Sequence, residues 1–217
     1  MGGASAHQMK LRRIIVGVTG ASATIYGIRL LQLLRDRPEV ETHLVMSRAA
    51  GITLRLESPE WSLEAVRALA DVTYKESDIA AGIASGTFPV EAMVVVPASM
   101  KTVAQIATGT GETLLHRAAD VTLKERRPLV MVPRETPLHL GHLRNLTHLA
   151  ELGAIIVPPM VAFYHQPRDL NEVVDHTVGK ILDLLRIDHA LYSRWTGPAR
   201  ERLRNSPETP LREPERE

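Results

Sequence analysis

Four short stretches of this chain combine hydroxyls, cations and small residues in ways that could hold an anionic ligand. The first is VGVTGAS at residues 16–22, where an apolar run enters the turn Thr19, Gly20, Ala21, Ser22 just ahead of a helical stretch. Residues this small let main-chain N–H groups approach a phosphate or a flat ring, and a helix N-terminus adds partial positive charge. The spacing is not GxGxxG, so a nicotinamide dinucleotide is not indicated, and a tight turn with Ser22 as a helix cap is the plainer alternative. The second, VPASMKT at 96–102, again follows an apolar run. Ser99 and Thr102 can donate to phosphate oxygens while Lys101 supplies charge, or Ser99 simply caps a helix beside a solvated lysine.

The third stretch runs from LKERRP at 123–128 to PRETP at 133–137. Glu125, Arg126 and Arg127 read as a solvated helix face. Arg134 and Glu135 differ, because they stand at the end of an apolar run between Pro133 and Pro137, which restrict the backbone around them. The fourth, FYHQP at 163–167, offers the Tyr164 phenol in a loop, with packing as the alternative. His139 and His142 stand three residues apart and invite a metal reading. No HExxH pattern accompanies them, and a pair of surface or interface histidines is the simpler account.

Each stretch must be positioned by regular elements. Short β-branched runs at 14–18, 43–46, 93–96, 129–132 and 155–157 predict buried strands, and helical spacing covers 26–34, 63–69, 113–123, 140–152 and 173–185. Strand and helix alternate, and the strands are apolar on both faces. The expectation is a single-domain, three-layer α/β/α fold with a doubly wound, mainly parallel sheet of the Rossmann or flavodoxin type. In such sheets ligands sit beyond the carboxyl ends of the strands, where the motifs fall. Residues 1–10 read as a loose extension, 11–192 as the folded domain and 193–217 as a charged, proline-rich tail.

Composition narrows the function. The 217 residues include 26 Lys and Arg against 25 Asp and Glu, a formal charge of +1 that lacks the basic field of a nucleic-acid binder. There is no cysteine, hence no disulfide framework, thiolate metal site or cysteine nucleophile. No apolar run reaches the roughly 18 residues of a membrane span, and a cytoplasmic location is expected.

The chain resembles the UbiX-like flavin prenyltransferases, within the superfamily of homo-oligomeric flavin-containing decarboxylase-like proteins. The resemblance rests on TGAS at 19–22 with Tyr26 and Gly27, Ser47 with Ala49 and Ala50, Pro97 with SMKT at 99–102, RAADVTLKERRPLVMVPRETPLHL at 117–140 and PPMVAFYHQP at 158–167. It covers residues 11–187. It implies transfer of a dimethylallyl group from dimethylallyl monophosphate to N5 and C6 of reduced FMN, without metal. The product, prenylated FMN, would serve a UbiD-type decarboxylase, and the subunits would form a dodecamer with sites at subunit interfaces. By motif position, Gly20, Ala21, Ser22, Ser47, Ser99, Met100, Lys101, Thr102 and Arg134 resemble the FMN contacts. Lys124, Arg134, Tyr164 and Lys180 resemble the groups on the substrate phosphate, with Glu135 beside them as a catalytic candidate and Trp195 near the prenyl group. Ser22 and Glu57 resemble the pair that manages the proton on N5.

Three positions depart from the family pattern: Ala23 stands where many relatives have glycine, Ala98 where cysteine is frequent, and Lys180 where some have arginine. A backbone with positive φ at Ala23 would be strained. Two other readings share the fold, a non-catalytic FMN-binding subunit of a decarboxylase complex and a flavin-dependent cysteine decarboxylase. The latter needs an active-site histidine, and residues 47–62 hold Ser47 and Glu57 but no histidine.

Overall fold

Val, Ile and Met dominate the central segments, and the chain answers with a sheet buried on both sides. The computed structural model describes residues 11–194; the expected extension at 1–10 and the tail from Trp195 onward lie outside the described residues. Six strands, β1 (Arg12–Val18), β2 (Val40–Met46), β3 (Val72–Tyr74), β4 (Ala92–Ala98), β5 (Leu129–Pro133) and β6 (Ile155–Ile156), form one sheet in the order β3-β2-β1-β4-β5-β6. Every pairing is parallel. Of the two expected sheet types this is the Rossmann order, and the direction of winding reverses between β1 and β4.

Alternation along each strand divides the core in two. Ile14, Val16 and Val18 of β1 and Val94 and Val96 of β4 face α1 (Ile25–Arg35), α2 (Arg48–Glu57), α3 (Leu63–Arg67) and α7 (Leu170–Leu184). Ile15, Met93 and Val95 face α4 (Met100–Thr108), α5 (Leu114–Lys124) and α6 (Leu140–Glu151). Each fully buried Val, Leu or Ile adds roughly 1.5–3 kcal/mol, so both helical layers are firmly seated. The expected strands and long helices are present; β3, α2 and the body of α4 were not foreseen. The apolar side of α2 consists of Ala50, Gly51 and Leu54, too small to give a helical signal.

Gly27 marks where α1 touches the sheet. A Cβ there would lie 2.6 Å from the Val96 carbonyl oxygen, so glycine brings the first turn of α1 against the end of β4, beside the reversal point.

Candidate functional site

At the carboxyl edge, the ends of adjacent strands are tied together by Thr19. Its N–H and its hydroxyl both donate to the Pro97 carbonyl, at 3.2 and 2.7 Å, while the hydroxyl oxygen accepts the Ser99 N–H at 2.8 Å. Ser47 N–H donates to Val18 O at 2.9 Å, and Arg134 N–H to Ala98 O at 3.2 Å. Four of the sequence motifs are thereby fixed side by side. Three helices, α1, α2 and α4, begin here and direct their N-terminal partial charges to this edge.

The turn after β1 is held from two sides. A Cβ on Gly20 would come within 2.4 Å of the Ala49 Cβ, so only glycine lets the turn lie against α2. Ser22 does not cap α1, and the N-cap Thr24 makes no capping bond. Instead Glu57, at the end of α2, accepts the Ala23 and Thr24 N–H groups through Oε2 at 2.7 and 3.4 Å. Ala23 has φ of 77°, the strained conformation expected from its family position. Glu57, which composition alone assigns to the polar surface, is thus joined to the turn that carries Ser22.

Ser99 does act as a cap, accepting the Thr102 N–H at 3.2 Å, and Ser47 likewise accepts the Ala50 N–H at 3.0 Å. Capping leaves other donors available. Among the described residues, no partner is found for the N–H groups of Gly20, Ala21, Ser22, Met100 and Lys101, nor an ion pair for Lys101 or Arg134. The Thr24 hydroxyl is buried beneath the turn without a partner. Small residues, unengaged N–H donors and two unpaired cations on one edge suit a flat ligand carrying a phosphate.

The remaining candidates lie elsewhere. Tyr164 follows β6, and its hydroxyl is 3.1 Å from His176 Nε2 on α7. Lys180, one turn farther along α7, places Nζ 5.4 Å from the centre of the Tyr192 ring, which also borders His176 at 5.1 Å between ring centres. The structure therefore gathers Tyr164 and Lys180 into one cluster on the flank of the domain. Tyr192 is anchored by donating to Asp183. Burial alone would raise the Asp183 carboxyl, but hydrogen bonds from Arg194 and Tyr192 and the charges of Arg194 and His189 outweigh it and hold it at about 2. Lys124 stands apart. It ends α5 at the amino edge of the sheet, pairs with Glu125 and lies against Gly86. Within one chain it does not reach Arg134. Glu135 is exposed and accepts the Thr136 N–H at 3.0 Å. Trp195 lies outside the described residues.

Two residues at the carboxyl edge escaped the sequence reading. Glu76, after β3, accepts the Arg48 N–H at the start of α2 at 3.0 Å. His116 on α5 has Nδ1 2.9 Å from the Thr113 hydroxyl and a buried Nε2 without a partner among the described residues. Burial lowers its pKa, with Glu76 acting to raise it and Lys101 to lower it. Neither belongs to a motif, and only the fold brings them near Lys101. His139 serves as the N-cap of α6, its Nδ1 accepting the Gly141 and His142 N–H groups, and the two imidazoles lie 3.5 Å apart between centres. Among the described residues no three His, Cys, Asp or Glu side chains gather as a metal site.

The fold and the donor-lined edge define the class: a doubly wound α/β protein built to hold a flat, phosphate-bearing ligand at its sheet reversal. The Flavoprotein family model matches residues 3–187, and the chain belongs to that family, among its UbiX-like flavin prenyltransferases. It is 56% identical over 189 residues to the flavin prenyltransferase UbiX of Salmonella typhimurium, covering 86% of this chain and all (100%) of that protein. The crystal structure of AnUbiX in complex with FMN and dimethylallyl pyrophosphate superposes with a TM-score of 0.84 at 46% identity, covering 87% of this chain and 99% of that one. A dodecameric FMN-dependent UbiX-like decarboxylase from Escherichia coli O157:H7 gives a TM-score of 0.83 at 48% identity, covering 85% of this chain and 100% of that one. No helix among the described residues is long and apolar enough to cross a membrane.

Proposed function

We propose that this protein is a flavin prenyltransferase that moves a dimethylallyl group from dimethylallyl monophosphate to reduced FMN, its prenyl acceptor. The allylic C–O bond breaks and inorganic phosphate leaves as the prenyl carbon bonds to flavin N5, which gives up its proton; the prenyl double bond then takes up a proton and bonds to C6, which loses its own, closing a fourth ring. The observation that carries this reading is the carboxyl edge, where the N–H groups of residues 20–22 and 100–101, without a partner among the described residues, stand with Lys101 and Arg134, which have no ion pair among those residues. Its flavin ligand is supported by the relatives of the same family.

Gly20, Ala21, Ser22, Ser47, Ser99, Met100, Lys101, Thr102 and Arg134 would hold the FMN. Arg134, Tyr164, Lys180 and Lys124 would hold the departing phosphate, whose charge grows as the allylic bond breaks and is best met by cations and a phenol. From the amino edge, Lys124 would act from a second copy of the chain, which the assembly proposed here would supply. Glu57 uses Oε2 to hold the turn, leaving Oε1 to take the N5 proton with Ser22. Glu135 and Trp195 are assigned beside the phosphate and the prenyl group by family position. A dodecamer, a cytoplasmic location where reduced flavin is maintained, and a UbiD-type decarboxylase as recipient complete the proposal.

Anaerobic incubation of the purified protein with reduced FMN and dimethylallyl monophosphate tests it. The expected product is a flavin heavier by one dimethylallyl unit with altered absorbance, formed equally with a chelator present. Loss of product on chelation would reject a metal-free reaction, and no product under either condition would reject the reading itself.

A further inference from the structure

The segment after α7 turns back along that helix and brings one side chain against Lys180. Tyr192 lies over Gly179, where a Cβ would come within 2.4 Å of its Cε1, and its ring centre is 5.1 Å from that of His176 and 5.4 Å from Lys180 Nζ. His176, Gly179, Lys180 and Asp183 follow one another at helical spacing, so the ring runs along one face of α7. Asp183 holds its far end. One carboxylate oxygen, Oδ2, accepts the Tyr192 hydroxyl, while Oδ1 accepts Arg194 Nη2 at 2.7 Å and lies 3.2 Å from His189 Nε2. The Leu191 N–H donates to His189 Nδ1 at 3.2 Å, which leaves the ring proton on Nε2, facing the carboxylate. Burial alone would raise the Asp183 carboxyl, yet hydrogen bonds from Arg194 and Tyr192 hold it at about 2, so it is ionised.

These contacts decide what surrounds Lys180. Asp183 stands three residues farther along α7, the spacing at which a lysine and a carboxylate pair on a helix surface. Its oxygens are occupied by Tyr192, Arg194 and His189 instead, and among the described residues Lys180 has no ion pair. What the ammonium meets is the Tyr192 ring, which attracts a cation without neutralising it. An ammonium has three N–H donors, and a ring beside it leaves them free to turn to an anion. It also restrains a long side chain that would otherwise lose its freedom only on binding. We propose that Tyr192, anchored by Asp183, is a positioning residue for Lys180, holding the ammonium in place with its charge and donors ready for the substrate phosphate. The inference rests on the assignment of Lys180 to that phosphate.

Two measurements on the full-length protein test this. In the first, spectra of FMN-bound protein labelled with carbon-13 at the lysine Cε are recorded, with Lys180→Arg used to assign the resonance. The Lys180 ε-methylene protons are expected upfield of those of the other lysines, displaced by the Tyr192 ring current. The displacement should be smaller in Tyr192→Phe, which keeps the ring but loses its bond to Asp183, and absent in Tyr192→Leu. An undisplaced resonance in the unsubstituted protein overturns the proposal whether or not flavin is prenylated. In the second, the same variants are compared by kcat and KM for dimethylallyl monophosphate. Tyr192→Leu should lower kcat/KM about 2- to 5-fold, the scale of one exposed cation–ring contact, chiefly through KM and with unchanged FMN affinity. Tyr192→Phe should fall between it and the unsubstituted protein. In a Lys180→Met background, Tyr192→Leu should cost nothing further. An equal loss in that background, or a Tyr192→Phe variant as impaired as Tyr192→Leu, overturns the proposal. Absence of product from the unsubstituted protein would count against the prenyltransferase reading alone, since the spectroscopic result stands without turnover.

Discussion

Thr19, Ser47, Ser99 and Arg134 are brought together by hydrogen bonds between neighbouring strand ends, whereas Lys124, Tyr164 and Lys180 are spread over an edge and a flank of the domain. The first group offers main-chain donors and short side chains whose positions follow from the sheet itself. The second offers long cations and a phenol on exposed positions, with Lys124 at the opposite edge of the sheet from the first group. A flat cofactor needs a rigid surface, which one domain can supply. A small phosphate can be enclosed by side chains from several elements, and under the proposed function Lys124 would reach it only from a second copy of the chain. Substitutions in the two regions should therefore fail in different ways.

The largest effect is expected at Glu57, the carboxylate that belongs structurally to the first region. Glu57→Gln preserves an oxygen to accept the Ala23 and Thr24 N–H groups but removes the proposed base. Turnover should fall about 10²-fold or more while FMN affinity changes little. Glu57→Ala also releases the turn, so FMN affinity should fall as well. Single-turnover flavin absorbance under anaerobic conditions, with FMN titrations alongside, checks both. Equal rates for Glu57→Gln and the unsubstituted protein would leave Glu57 as a structural clamp only.

The second region should lose substrate use without losing the cofactor. Removing one charged hydrogen bond from the phosphate costs roughly 1.5–3 kcal/mol, which is about 10- to 150-fold in kcat/KM. Lys124→Met and Lys180→Met should fall in that range with FMN titrations unchanged. A parallel loss of FMN affinity would place those lysines in the first region instead. Because Lys124 would act from a second copy, a mixture of Lys124→Met and Arg134→Ala chains should regain some activity on co-assembly, and Lys180→Met chains offer the comparison.

The contrast between regions also explains what could be read before the structure. Five of the six strands, the long helices and the doubly wound order of layers follow from β-branched runs and helical spacing, and the small-residue turns at 19–22 and 97–102 stand at strand ends where ligands bind. Glu57 was different. Its helix α2 has an apolar side of Ala50, Gly51 and Leu54, so nothing local marks it, and its link to Ala23 crosses 34 residues of sequence. His176 and Tyr192 gave no signal either, because their contact depends on the segment after α7 folding back onto Gly179. The position of Lys124 could not be inferred from its motif, which fixes neighbours in sequence but not the edge of the sheet at which α5 ends.

The smallest expected effect separates strain from contact within the first region. Ala23 has φ of 77° and its N–H is held by Glu57 Oε2 at 2.7 Å, so a residue with a Cβ is kept in the left-handed region. That conformation costs an L-residue roughly 1–2 kcal/mol, which glycine would remove. Glycine also widens the unfolded ensemble by about 0.4–1 kcal/mol, so Ala23→Gly should give a net gain of about 0.5–1 kcal/mol. For a chain of this size that is a rise of about 1–4 °C in Tm, measurable by scanning calorimetry. FMN affinity should stay nearly constant, because the backbone already occupies the conformation that glycine favours. The role of Glu57 can then be tested through the same substitution. If its carboxylate holds Ala23 in place, a Glu57→Ala background lets the alanine relax, and Ala23→Gly should bring little or no gain there. A gain of equal size in both backgrounds would mean that the turn is held by Gly20 against Ala49, and that Glu57 follows the turn without enforcing it.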